Sequence, residues 1–404
     1  MDGADDVDAL LPPETLVWRD KAREIAREVV LPGAWKWDHA QEYPWPVKEA
    51  LADAGLLGIW IPKEYGGHGR GVLDLCVVVE ELSKACGGVG VMYAVNALGS
   101  FPILLGGTDE QKRKYLPQIA RGEKLIAFGL SEKNAGSDAG GMTCRAELDG
   151  DEYVINGEKK WNTNGGVADI YSIFAVTDPE SRSRRISAIV VEKGTPGFRI
   201  GKVEDKMGIR CVPVVELEFE DCRVPASSIL GGRPGLGFKH AMMTLDHARP
   251  GVAAQAVGLA QGALDFATHY TTKRQQFGQS ISSFQQVQAR LADMSTRVAA
   301  ARALVHTAAN ALDRGETNVS LVAAQAKLFA TEAAMWVTTQ AVQLFGGYGY
   351  MRDYPVEKYM RDAKITQIYE GTNEIQRVVI SRNMIKAAAE LEHLAAYVPL
   401  PGTA

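Results

Sequence analysis

The stretch "QIYEGTNEIQR", residues 367–377, sets one carboxylate, Glu370, between the aromatic Tyr369 and Gly371. An acid that takes a proton from carbon has a use for both neighbours. Burial beside a ring disfavours the charged form and lifts a carboxyl from about 4.3 toward working pH. Glycine leaves the backbone free to turn and aim the side chain. The plainer reading is a surface Glu at a helix N-terminus, where the dipole favours negative charge.

Three other stretches carry polar groups at useful spacings. "GLSEKNAGSDAGG" (129–141) is a loop whose backbone N–H groups and hydroxyls suit phosphate or carbonyl oxygens, although a connecting loop has the same composition. "TLDHARP" places Asp246 and Arg249 three apart on a helix, the spacing of an ordinary ion pair. "KRQQFG" (273–278) closes a helix with Arg274 and Phe277, which a simple C-terminal cap would also explain. No G-x-G-x-x-G follows a strand pattern, and "AGSDAG" is not the G-x-S-x-G of a hydrolase elbow. The seven histidines are scattered, and only His240 and His247 share a helix face, so no metal site is expected.

The chain that must position these groups has 404 residues and 46% hydrophobic content, enough for two or three domains. Its 44 Lys and Arg against 49 Asp and Glu leave a net charge of −5, unlike a nucleic-acid binder with its basic excess. Five cysteines with no C-x-x-C pair point to a reducing compartment. The acidic start "MDGADDVDALLPPE" resembles neither a secretory signal nor a transit peptide. No apolar run is read as long enough to span a bilayer, so no membrane insertion and a cytoplasmic location are expected.

Periodicity divides the chain. Residues 1–124 form an N-terminal helical domain, opening with "ETLVWRDKAREIAREVV", where Leu16, Ala22, Ile25 and Val29 share a face. Residues 125–232 form a middle antiparallel β domain. There Val215, Leu217 and Phe219 alternate with Glu216, Glu218 and Glu220, and "RRISAIVVEK" adds a strand. Asn156-Gly157 and Asp149-Gly150 are both read as hairpin turns. Residues 233–388 form a C-terminal four-helix bundle, with an apolar or small series at Val287, Leu291, Met294, Val298, Ala301, Val305, Ala308 and Leu312 closed by Gly315. A frayed tail, 389–404, follows. The fold class is α+β, mainly α.

Taken in order, "LLGIWIPKEYGG", "GLSEKNAGSD", "YVINGEKKWNTNGG", "VGLAQGALDFATHYTTKRQQFG", "QLFGGYGY", "YPVEKYMRDAK" and "IYEGTNEIQR" resemble the acyl-CoA dehydrogenase family of flavoproteins over roughly residues 15–388. The resemblance implies FAD-dependent α,β-dehydrogenation of an acyl-CoA thioester to the trans-2-enoyl-CoA, as in fatty acid β-oxidation. Glu370 would take the α-proton, and an electron-transferring flavoprotein would accept the electrons. Position by position, it implies that Phe128, Leu130, Ser131, Trp161 and Thr163 line the flavin ring. Arg274, Gln276, Phe277, Gln285, Gln343 and Gly347, with Thr372 and Glu374, would hold the rest of the FAD, partly across a subunit boundary of a homotetramer. Ser137, Asp246, Arg249 and Arg382 would face the CoA moiety, and Tyr369 and Gly371 the thioester. Lys133 and Asn162 depart from the family pattern, Pro and an aliphatic residue being usual there. The alternatives are an acyl-CoA oxidase using oxygen and a non-catalytic CoA- or FAD-binding protein. The helix at 88–103, with bulky Met92 and Tyr93 beside small Gly90 and Ala94, suits a short to medium acyl chain, branched or alicyclic acids included.

Overall fold

A computed structural model describes residues 11–389 and 391; most of the tail expected to fray lies outside them. Among the described residues the N-terminal part holds six α-helices: α1 (Pro13–Ile25), α2 (Leu31–Ala40), α3 (Trp45–Asp53), α4 (Val72–Ala85), α5 (Gly87–Gly106) and α6 (Asp109–Ala120). Proline at the start of α1 fits a position whose N–H needs no partner. Thr108 and Gln111 cap α6 reciprocally, satisfying two orphan donors.

Helix α5 corrects one expectation. Its 20 residues carry no charge and are long and apolar enough to cross a membrane, yet 78% of the apolar window is buried inside this fold. Its polar groups are used internally. Trp60 Nε1 donates to Ser100 Oγ at 2.8 Å, and Asn96 Oδ1 accepts from Ile126 N at 3.2 Å, which ties the helix to the first strand. The run was missed because Asn96 and Ser100 interrupt its apolarity without adding charge.

The middle part is a seven-stranded sheet: β1 (Ile126–Gly129), β2 (Arg145–Asp149), β3 (Glu152–Thr163), β4 (Ile170–Val176), β5 (Ile186–Glu192), β6 (Phe198–Val203) and β7 (Val214–Pro225). The strands run in the order β1-β4-β2-β3-β7-β6, with β5 paired to β4. Most pairs are antiparallel as expected, but β1 lies parallel to β4, and β2 touches β4 in the same sense. The chain between β1 and β4 is long enough for the crossover that parallel neighbours require.

Of the two expected hairpins, one forms. Asp149 pairs with Glu152 across a turn at Gly150 (φ 65°). Asn156-Gly157 instead lies within β3, at a register shift between Ile155 and Gly157. Gly157 takes φ 136° and packs where a Cβ would stand 2.8 Å from Cys144 Cα, while Asn156 Oδ1 accepts from Asp221 N at 2.8 Å. The earlier turn has already paired β2 with β3, so Asn156 instead faces a bulge on β7, one residue of β3 set against Glu220 and Asp221.

In the C-terminal part, α7 (Gly237–Lys273) leads through the short strands β8 (Gln275–Gln276) and β9 (Gln279–Ser280) to α8 (Gln285–Asp313), α9 (Val319–Phe345), α10 (Val356–Thr366) and α11 (Asn373–Lys386). Helix α7 packs along α4, α5 and α9. A Cβ at Gly258 or Gly262 would stand 2.3 Å from the carbonyls of Glu80 and Lys84, so the α7 backbone lies directly on α4. On α8, Met294, Val298, Ala301, Val305 and Ala308 are buried, and Gly315 (φ 66°) follows its end.

Candidate active site

Between α10 and α11 the chain turns at Glu370 (φ 53°) and Gly371 (φ 92°). A left-handed glutamate costs of order 1–3 kcal/mol and persists only where its surroundings enforce it. Here Gln376 Nε2 donates to the Gly371 carbonyl at 2.8 Å and to that of Glu370 at 3.4 Å. Lys327 Nζ, from α9, donates to the Gly371 carbonyl at 2.9 Å and to Asn373 Oδ1 at 3.0 Å. Thr372 caps α11 by accepting from Ile375 N at 3.3 Å. Glycine is required at 371 for a local reason. A Cβ there would stand 2.6 Å from Gln376 Nε2, in a conformation L-residues avoid.

The Glu370 side chain is half-buried, and its Oε2 has no hydrogen-bond partner. Burial pushes the carboxyl up to about 7, against the opposing pull of Lys327 and Arg249. Lys327 is fully buried, and burial brings its ammonium down to about 7. Arg249 is buried too, donating to Asp246 Oδ1 at 2.6 Å with its Nε unpartnered. Tyr369 Oη hydrogen-bonds Gln255 Oε1, and Gln255 Nε2 donates to the Gly87 carbonyl at 2.9 Å, so the loop is anchored to the start of α5. The arrangement is an aimed carboxylate that titrates near neutrality.

A second group lies on the sheet. Phe128 packs on Phe174 with ring centroids 5.2 Å apart, Leu130 is buried and Ser131 is partly exposed. Glu132 roots the loop that follows. Its carboxylate accepts from Lys159 Nζ at 2.7 Å, Thr143 N at 2.6 Å and Cys144 N at 3.0 Å, inside the protein. Between Lys159 and Asn162 a second bulge sets two residues of β3 against one of β7. It turns Trp161 outward, at φ 60° and 51% exposed, with Thr163 half-buried two residues on. Asn162 points inward, donating to the Val215 carbonyl at 3.0 Å and leaving Oδ1 without a partner.

A third group lines a cavity of about 440 Å³ that includes Arg274, Gln276, Gln343 and Gly347. The Arg274 guanidinium lies 5.4 Å from the Tyr348 ring centre. Phe277 sits at the β8–β9 turn, 92% exposed. Gln343 and Lys327 both belong to α9, and at about 1.5 Å per residue they are roughly 24 Å apart. The cavity therefore lies far from the same chain's Glu370. Guanidinium, amide and glycine backbone groups are a fitting set for a pyrophosphate and an adenosine, and a projecting indole for a flavin ring.

Not every expected residue joins a group. Ser137, Gln285 and Arg382 are exposed. Glu374 is exposed on the first turn of α11, where a backbone N–H and Thr372 hold its carboxyl low. Arg249, expected toward CoA with Asp246, lies close enough to Glu370 to act on its charge and donates to Asp246. Sequence reasoning passed over Lys327, Gln255 and Gln376. Lys327 had a visible signal, a lone charge in the small-residue stripe of Ala323, Ala326, Ala330 and Ala334.

Family models for the N-terminal, middle and C-terminal domains of acyl-CoA dehydrogenases match residues 12–123, 127–222 and 235–385. A short-chain-specific acyl-CoA dehydrogenase of Clostridium acetobutylicum is 48% identical over 381 residues, covering 94% of this chain and 100% of that one. The butyryl-CoA dehydrogenase of Megasphaera elsdenii superposes with a TM-score of 0.90 at 44% identity, over 93% of this chain and 99% of that one. A chain from the structure of the electron transferring flavoprotein of Acidaminococcus fermentans superposes with a TM-score of 0.91 at 49% identity, over 93% and 99%.

Proposed function

Because the chain belongs to the acyl-CoA dehydrogenase family of flavoprotein oxidoreductases, we propose that it converts a short acyl-CoA to the trans-2-enoyl-CoA with Glu370 as the α-proton base. The observation that carries the reading is the Glu370 carboxylate, with Oε2 unpartnered, in an enforced left-handed turn and titrating near 7. A base tuned to working pH is ionised often enough to accept a proton and basic enough to hold it. The backbone N–H of Glu370 makes no hydrogen bond among the described residues, so it is free to donate to the thioester oxygen as charge builds there. Arg249 and Lys327 favour the ionised carboxylate, and Gly371 permits the left-handed turn that presents it.

FAD, when bound, supplies the acceptor for the β-hydrogen as hydride. Trp161, Thr163 and Ser131 are the residues suited to its ring, and Arg274, Gln276, Phe277, Gln343 and Gly347 to its pyrophosphate and adenosine. The remoteness of that cavity from the same chain's Glu370 supports a homotetramer in which one chain completes its neighbour's site. The apolar rim of Phe277, Tyr348, Tyr350 and Met351, all exposed, supports the same reading. Electrons then pass to an electron-transferring flavoprotein. A short acyl chain is favoured by the buried bulk of Met92 and Tyr93 on α5, and a panel of CoA esters assayed with one artificial acceptor tests it.

Glu370→Gln keeps the shape and removes the base. The variant is expected to bind FAD and acyl-CoA while anaerobic flavin reduction slows by at least ~100-fold, the low end for a general base. Near-normal bleaching would remove Glu370 from the mechanism.

A further inference from the structure

Helix α9 buries a charge where its neighbours need none. Ala323, Ala324, Ala326, Ala330, Ala333 and Ala334 form its inward face, and Lys327 stands among them fully buried. Desolvating an ammonium is costly, so an apolar side chain would serve packing better unless the charge has a use. The side chain reaches two acceptors, both in the turn that presents Glu370: the Gly371 carbonyl at 2.9 Å and Asn373 Oδ1 at 3.0 Å. Thr331 Oγ1 donates to the same Asn373 oxygen at 3.0 Å, which holds that acceptor in place.

We propose that Lys327 is a positioning residue for the base: its ammonium pins the carbonyl that follows Glu370, and its charge keeps that carboxylate available in its ionised form. This rests on the reading of Glu370 as the base. The charged and titratable groups facing the carboxylate are few. They are Lys327 from α9, Arg249 from α7 with Asp246 behind it, Glu374 at the start of α11, and the Tyr369 phenol. Arg249 already spends one nitrogen on Asp246, whereas no carboxylate accepts a hydrogen bond from Lys327 among the described residues. Lys327 is therefore the cation whose field is least diverted. Burial of Glu370 and burial of Lys327 act in opposite directions on their protons and bring both groups near 7. Each pulls the other toward its charged form, against burial.

The test is the pH dependence of anaerobic flavin reduction by butyryl-CoA in the FAD-loaded protein, read as the rate at low substrate so that free-enzyme groups are reported. Loss of a neighbouring cation moves a carboxyl by about one unit or more. Lys327→Met is expected to move the rising limb alkaline by at least ~1 unit. Lys327→Arg, which keeps the charge, is expected to leave the limb within a few tenths of the parent. If Lys327→Met fails to fold, Asn373→Asp decides. It sets a carboxylate beside the ammonium without removing it, and it is expected to move the limb in the same direction. An unmoved limb in a folded Lys327→Met or Asn373→Asp variant, with Glu370→Gln inactive, overturns the proposal alone. Rapid reduction by Glu370→Gln removes the underlying reading, and the proposal with it.

Discussion

Glu370 carries a pH signature that is separate from turnover. A carboxyl raised on folding favours the folded state while protonated, and it loses that advantage as pH climbs from its ordinary 4.5 through about 7. Glu370→Gln abolishes this titration. The variant is expected to melt level with the parent near pH 4 and above it near pH 8, the gap opening between; calorimetry across that range checks it. Gly371→Ala tests the turn itself. With φ at 92° and Gln376 Nε2 at 2.6 Å from the new Cβ, the substitution is expected to cost about 1–2 kcal/mol in urea unfolding and to slow flavin reduction by misaiming the base. At this scale the sequence showed the acid and its neighbours, because Tyr369, Glu370 and Gly371 are adjacent in the chain. Lys327, Gln255 and Gln376 come from three different helices, and no local pattern brings them to one loop.

Among elements, the loop that follows β1 depends on a strand it does not adjoin in sequence. The Glu132–Lys159 pair lies inside the protein, at 4% and 0% exposure, and removing one partner strands the other charge. Lys159→Met is expected to cost about 3–5 kcal/mol, with much of that recovered by Glu132→Gln in the double variant, because no charge then remains buried alone. Chemical denaturation of the four proteins completes the cycle. The strands were legible where side chains alternate, as in β7, since one face is buried and the other wet. The two bulges between β3 and β7 were not. A bulge is set by the register against β7, which is a non-local quantity, and Asn-Gly has the same local preferences in a bulge as in a turn. The uncharged length of α5 was underestimated for a related reason, since only the folded partners Trp60 and Ile126 explain its interior polar groups.

For the whole molecule, the three parts are held by contacts across long stretches of chain. Ile209 N donates to Asp362 Oδ1 at 2.6 Å, Arg361 Nη2 reaches Asp38 Oδ2 at 3.0 Å, and Trp35 Nε1 donates to the Arg352 carbonyl at 2.8 Å. Phe277→Asp places a charge on the most exposed aromatic ring among the described residues. If the proposed tetramer forms, the variant is expected to fall to smaller species that shed FAD, seen together by sedimentation and flavin absorbance; a FAD-replete tetramer would contradict the shared-site reading.

The separation of Lys327 and Gln343 along α9 also has a genetic consequence. If each working site combines Glu370 of one chain with Arg274 of another, two inactive alleles can rescue each other. In a Glu370→Gln chain paired with an Arg274→Ala chain, one site inherits both lesions and the other inherits neither. Random assembly of equal amounts should restore about a quarter of the sites, as expected for two-fold pairing. Either protein alone should stay dark in the same assay. Two co-expressed plasmids, each silent by itself, would then yield an active enzyme.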